Sequence, residues 1–225
     1  PFPFRYYGED FDQITICTNG WAAFGDWGSL AQFRNRRIAS GNGPNAQLCP
    51  FWDNLLTGQI LYYYDEQNGR FIIEWSDMVR QYDDDLHETF EVILYDPEFH
   101  ATITGDGIID FQYKDFNNGN VAPGWGNPYS TVGIGNLDDT DGLEYTYWNR
   151  YRDGATPLED EMAIRFTTLL QYVSGSLTGT VRDLETGEPI EGAWVRTSRG
   201  FADDTDEDGV YLIPEVLVGD NYFIT

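Results

Sequence analysis

Chemistry in this chain would have to come from its carboxylates, because the other reactive residues are few. The histidines are His87 and His100, and the cysteines are Cys17 and Cys49. His87 stands in Asp83-Asp84-Asp85-Leu86-His87-Glu88, and His100 follows Pro97-Glu98-Phe99. Nucleophilic catalysis needs a base beside a Ser or Cys, and there is neither a Gly-x-Ser-x-Gly elbow nor a His-Glu-x-x-His run. Both histidines therefore read as surface loop residues, and peptidase chemistry is not expected within these residues. Glycoside hydrolysis needs only two positioned carboxylates, and 38 Asp and Glu leave that open by composition. Most of these acids stand in turns, however, where Asp bonds the local backbone. No enzymatic activity is expected.

Cation binding is the better use of such acids, and calcium is the candidate ion. Asp204, Asp206 and Asp208, followed by Gly209 and by Glu215, fit the spacing of an EF-hand loop. The flanks of this loop read as strands, which favours a plain hairpin turn instead. A second acidic turn, Asp138-Asp139-Thr140-Asp141-Gly142, offers Asp139 and Asp141, with Asn136 and Glu144 as further ligands. The Asp83–Asp85 triad reads as a solvated loop. Among the aromatics, Trp27, Trp125 and Trp148 lie near turn residues and are the candidates for stacking on sugar rings, whereas Trp21, Trp52 and Trp75 are assigned to the core. Cys17 and Cys49 either form a disulfide or are two buried free thiols, and the spacing leaves both open.

The elements that must carry these residues are strands. Period-two alternation places Phe71, Ile73 and Trp75 on one face, and likewise Phe90, Val92 and Leu94. It recurs at Ile109, Phe111 and Tyr113, at Leu143, Tyr145 and Tyr147, and at Met162, Ile164 and Phe166. Turn signals separate the runs, with Asn68-Gly69 the strongest hairpin signal. Helical patterning is poor, and residues 29–38 read as loop with room for one helical turn. The pattern predicts an all-β chain, a large antiparallel β-sandwich over 1–172 followed by a smaller one over 174–225. A net charge of −25 disfavours nucleic acid and anionic membranes as partners. No apolar run approaches the length of a membrane span. The chain opens at Pro1 and stops at Thr225 in what reads as a strand, so both ends are expected to be cut points of a longer protein.

Two resemblances extend this reading. Gly179-Thr180-Val181-Arg182-Asp183, Thr186-Gly187-Glu188-Pro189-Ile190-Glu191-Gly192-Ala193-Trp194-Val195, Thr205-Asp206-Glu207-Asp208-Gly209-Val210-Tyr211 and Gly219-Asp220-Asn221-Tyr222 resemble the carboxypeptidase regulatory-like domain. That resemblance implies a transthyretin-like sandwich, here incomplete, with a hairpin turn at Thr205–Gly209. Phe2-Pro3-Phe4-Arg5-Tyr6-Tyr7-Gly8, Thr18-Asn19-Gly20-Trp21, Pro50-Phe51-Trp52-Asp53-Asn54-Leu55, Arg70–Trp75, Gly107–Tyr113 and Thr131-Val132-Gly133-Ile134 resemble the ancillary β-sandwiches of secreted bacterial peptidases: gingipain-like, subtilisin-like and zinc-carboxypeptidase proteins with type IX secretion signals. They also resemble, more distantly, the nidogen-like domain of adhesive proteins. The implied role is an extracellular, non-catalytic module that docks on neighbouring domains, spaces them or adheres. Two alternatives stand beside it: a subunit of a filament or lattice joined to other copies through an open sheet edge, and a module that binds glycans.

Overall fold

The computed structural model describes residues 1–81, 83–117, 130–168, 174–197 and 202–217. The chain divides into two compact units, Pro1–Leu170 and Gln171–Thr225. The first unit begins with β1 (Phe4–Tyr6), β2 (Glu9–Phe11), β3 (Ile14–Cys17), β4 (Trp21–Phe24) and β5 (Gln47–Trp52). Three long strands follow: β6 (Leu55–Asp65), β7 (Arg70–Arg80) and β8 (Asp83–Tyr95). Then come β9 (Ile109–Asp115), β10 (Thr131–Gly135), β11 (Gly142–Tyr147), β12 (Arg150–Tyr151) and β13 (Met162–Phe166). One sheet has the order β12-β11-β10-β5-β4-β3, the other β13-β9-β8-β7-β6, and β1 pairs with β2. Every pairing is antiparallel. Among the described residues there is no α-helix, and the fold is an all-β sandwich.

The inner faces follow the alternation. Ile73 and Trp75 of β7, Phe90, Val92 and Leu94 of β8, and Ile109, Phe111 and Tyr113 of β9 are all buried in one cluster with Leu48, Phe51, Val132 and Ile134 of the facing sheet. Phe90 is the hinge of that cluster: its ring lies 5.4 Å from Trp75 and 5.4 Å from Phe51. Each such side chain contributes on the order of 1.5–3 kcal/mol by leaving water. The β6–β7 hairpin turns through a 3₁₀ segment, Glu66–Asn68, whose Asn68 N–H is accepted by Asp65. Only Gly69 then takes the left-handed conformation, φ +57°. In β11 the expected face is not the buried one: Thr146 is shut away while Leu143 is 59% exposed. A register shift between Val132 and Gly133 on the neighbouring strand disrupts the local ladder, and periodicity cannot anticipate a bulge of that kind.

Residues 29–38 are irregular and hold no helix. They are tied to the six-stranded sheet through a second apolar cluster of Cys17, Trp21, Ala23, Ile38, Cys49 and Trp52. Both Trp21 and Trp52 donate their indole N–H to the Gln32 carbonyl, at 2.9 and 3.0 Å. β8 begins at Asp83, so the acidic triad and His87 belong to a strand rather than to the expected loop.

In the second unit β14 (Ser174–Thr180) pairs with β17 (Val210–Leu217), and β15 (Trp194–Arg196) pairs with β16 (Ala202–Asp204). Its core is Val195, Tyr211, Ile213 and Val216. No helix among the described residues is long and apolar enough to cross a membrane.

Candidate functional site

The acidic turn between β10 and β11 is built from the inside out. Asp139 is 1% exposed and takes φ +55°, which turns its carboxylate back under the sheet-covering loop. Oδ1 accepts the Ala39 N–H at 3.0 Å and the Gln47 Nε2–H at 2.6 Å. Oδ2 accepts the N–H groups of Asn42 and Gly43, both at 2.9 Å. A carboxylate surrounded by donors on both oxygens has its lone pairs committed. Asn136 Oδ1 is used likewise by the Thr140 and Asp141 N–H groups, and Glu144 by Arg37 and the Ile38 N–H. Asp141 is exposed and accepts the Gly142 N–H. Asp139 is thus a buried anchor for residues 39–43, while Asp141 stands at the exposed end of the turn.

The loop after β16 is a hairpin turn. Asp206 Oδ1 accepts the N–H groups of Asp208 and Val210 at 3.0 and 2.8 Å, and its carbonyl accepts the Gly209 N–H. Gly209 takes φ +73°, which the turn requires. Asp204 lies on β16 in register with Trp194, and Asp208 is exposed. The Glu215 side chain lies outside the described residues. Among the described residues no group of three or more His, Cys, Asp and Glu is arranged to hold a metal ion, so Asp204, Asp206 and Asp208 do not form the expected ligand set.

Cys17 and Cys49 are free and buried. Cys17 is opposite Trp21, and the β4–β5 register, carried one residue beyond Ala22↔Leu48, puts Cys49 on the other side of the same Trp21. Two inter-strand spacings, roughly 10 Å, separate the cysteines, beyond the ~7 Å that a disulfide spans. Burial pushes both thiols above their usual range. Trp27 is half-buried against this cluster, its indole N–H donated to the Phe24 carbonyl at 2.9 Å. Trp148 sits half-buried on the β11–β12 turn at φ +54°, and its ring lies 5.8 Å from Tyr147. Trp125 lies outside the described residues. His87 Nδ1 contacts Asp77 at 2.6 Å, and His100 Nε2 contacts the Asn68 carbonyl at 2.9 Å.

What the motifs did not single out is a cleft of about 350 Å³ lined by Tyr6, Tyr7, Ile109, Ile134, Leu143 and Phe166, with Asp106, Asp141, Thr167 and Thr168 as its polar groups. Apolar walls with a few convergent polar groups are the usual make-up of a binding site. A larger hollow of about 620 Å³ on the five-stranded sheet is mixed in character, with Glu74 in register with Glu91 on its wall. The β1–β2 hairpin turns on Tyr7 and Gly8, at φ +47° and +84°. A Tyr in that region costs roughly 1–2 kcal/mol relative to Gly. Asp106 holds the turn by accepting the Gly8 N–H at 2.8 Å, and Tyr7 rests edge-on against Tyr6, centroids 4.9 Å apart. Tyr7 remains 39% exposed, and partial burial, then the Asp141 charge, pushes its hydroxyl pKa up. Residues in such backbone regions cluster at binding and active sites. Tyr7-Gly8 between short alternating runs was the available signal, but Tyr is an unusual residue for such a turn.

Compared with known proteins, the chain matches the family described as NIDO related over residues 1–163. No curated protein and no solved structure matches it.

Proposed function

The chain belongs to the NIDO-related family, and from that premise we propose that it is an extracellular, non-catalytic module that docks a partner in the cleft beside Tyr7. The observation that carries this reading is the division of labour among polar groups. Asp139 and Asp206 are spent on internal hydrogen bonds, whereas the cleft keeps open apolar surface next to a strained aromatic turn. Binding energy would come from the Tyr7, Leu143 and Phe166 surfaces, and orientation from Asp141 and the Thr167 and Thr168 hydroxyls. The partner is a neighbouring domain of the parent protein, for which a secreted peptidase fits the ancillary character of the module, or a surface to which that protein adheres. The second unit acts alongside as a carboxypeptidase regulatory-like domain, a reading supported by its Thr205–Gly209 hairpin turn.

A photoreactive residue in place of Leu143, in the intact protein, tests this. One cross-linked partner is expected, either a segment of the same polypeptide or one second protein. Tyr7→Gly should lower the yield several-fold while leaving the fold at least as stable, because glycine relieves the positive φ. Cross-linking spread over many proteins, or indifferent to Tyr7, would overturn the assignment.

A further inference from the structure

Basic residues are scarce in this chain and unevenly placed. Five of its 13 Lys and Arg residues, Arg34, Arg36, Arg37, Arg150 and Arg152, stand where the covering loop meets β11 and β12, and all five are exposed. Their proximity is set by the sheet. Arg37 and Arg152 both reach Glu144 Oε1, at 2.8 and 3.5 Å. The Arg37 guanidinium lies 4.9 Å over the Tyr147 ring, and Tyr147 is in register with Arg150. Thr131, the other register partner of Tyr147, donates its hydroxyl to the Arg36 carbonyl at 2.8 Å. Arg34 and Arg36 share a hollow with Phe33, which is 43% exposed.

Elsewhere in the same unit, among the described residues, Arg5 pairs with Asp10, Arg70 with Asp65, Arg80 with Glu88 and Arg165 with Asp110. Here two guanidiniums divide one buried carboxylate, and Arg36 and Arg150 make no ion pair among the described residues. Asp153 is the one further acid next to them in sequence. In a protein of net charge −25, this face sets five guanidiniums against Glu144 and Asp153. Self-repulsion among like charges is a cost that an anionic partner removes.

We propose that this face binds an acidic polysaccharide. Guanidinium groups take carboxylate or sulfate bidentately. Phe33 adds exposed apolar surface of the kind that packs against sugar rings, which a chain of acidic side chains has no use for.

The test is titration of the full chain with heparin (sulfate), polygalacturonate (carboxylate), neutral dextran and poly-glutamate, each at low and moderate salt. Binding is expected to heparin or polygalacturonate, whichever is tighter naming the anionic group, to weaken as salt rises, and to be absent with dextran. Arg36→Ser with Arg150→Ser should weaken it roughly tenfold or more. Both residues are exposed, so circular dichroism should show an unchanged fold. Arg182→Ser in the second unit should leave affinity unaltered. Lack of binding to both acidic polysaccharides, an equal loss with Arg182→Ser, or equally tight binding of poly-glutamate would each overturn the proposal.

Discussion

Gln47 donates its Nε2–H to Asp139 Oδ1 at 2.6 Å, and both side chains are shut off from solvent. The pair joins β5 to the β10–β11 turn, and its remaining polar atoms are used as well. Gln47 Oε1 accepts the Cys49 thiol at 3.3 Å, and the Tyr6 hydroxyl lies 3.1 Å from the Gln47 carbonyl and 2.7 Å from that of Gly135. Buried polar groups are tolerated when they find partners, and each polar side chain of this node has at least one.

Asp139→Asn removes an acceptor and sets an NH₂ group against backbone donors. Two of the four bonds at the carboxylate are lost or reversed. A loss of about 2–4 kcal/mol is expected in denaturant unfolding, with hydrogen exchange rising first at residues 39–43. A change within about 0.5 kcal/mol would mean that the node does not hold the covering loop.

Calcium should not raise the melting temperature specifically. Asp139 and Asp206 already accept hydrogen bonds from the protein, so a cation would have to displace them. Melting with EDTA, calcium or magnesium at fixed ionic strength is expected to give curves that coincide. A rise with calcium alone would signal ion binding to the folded state through acids in another arrangement.

The two thiols should resist alkylation in the native protein and react together on unfolding, because burial disfavours the thiolate at both positions. Mass spectrometry after iodoacetamide treatment, with and without denaturant, reads this directly. Mild oxidation should leave the monomer without an internal disulfide, given Trp21 between the two strands.

Gly20→Ala and Gly8→Ala form a matched pair. Both glycines have positive φ, +73° and +84°. At Gly20 a Cβ would sit 1.9 Å from the Phe51 carbonyl oxygen, whereas at Gly8 nothing lies within 4 Å. Gly8→Ala should cost about 1 kcal/mol from the backbone alone. Gly20→Ala should cost several times more or prevent folding, as seen by thermal melting and soluble yield.

Stability should fall as pH rises from about 4.5 to 7, in part through Glu88. Its carboxyl is buried 3.2 Å from Arg80 and accepts the Asn117 N–H at 2.7 Å. Burial outweighs that N–H and the Arg80 charge and pushes the group from 4.5 up to about 7. Between those values the native state holds a proton that the unfolded state has released, so the slope of stability against pH is negative there and levels off above 7. The full span is roughly 3 kcal/mol. Glu88→Gln should flatten the slope measured by urea unfolding from pH 5 to 7.5. Its absolute stability is a separate matter, because Arg80 then loses a charged partner.

Much of this architecture was open to reading from the chain alone, and the reason is locality. Alternation at Phe71–Trp75, Phe90–Leu94 and Ile109–Tyr113 depends on neighbours two residues apart, and those faces are the buried ones. The hairpin at Asn68-Gly69 and the turn at Asp206–Gly209 are likewise written within a few residues. The surplus of acids and the missing nucleophile motifs needed only a count. Tertiary structure alone decided what the acids and aromatics do. Asp139 meets Ala39 and Gln47 across about a hundred positions because β10 lies beside β5, and no spacing rule carries that. The same strand order puts Trp21 between the cysteines, brings Arg37 and Arg152 together on Glu144, and opens the cleft beside Tyr7. Strand pairing is a long-range choice made by the whole core. A local pattern can name the residues of a site but not which of them will meet.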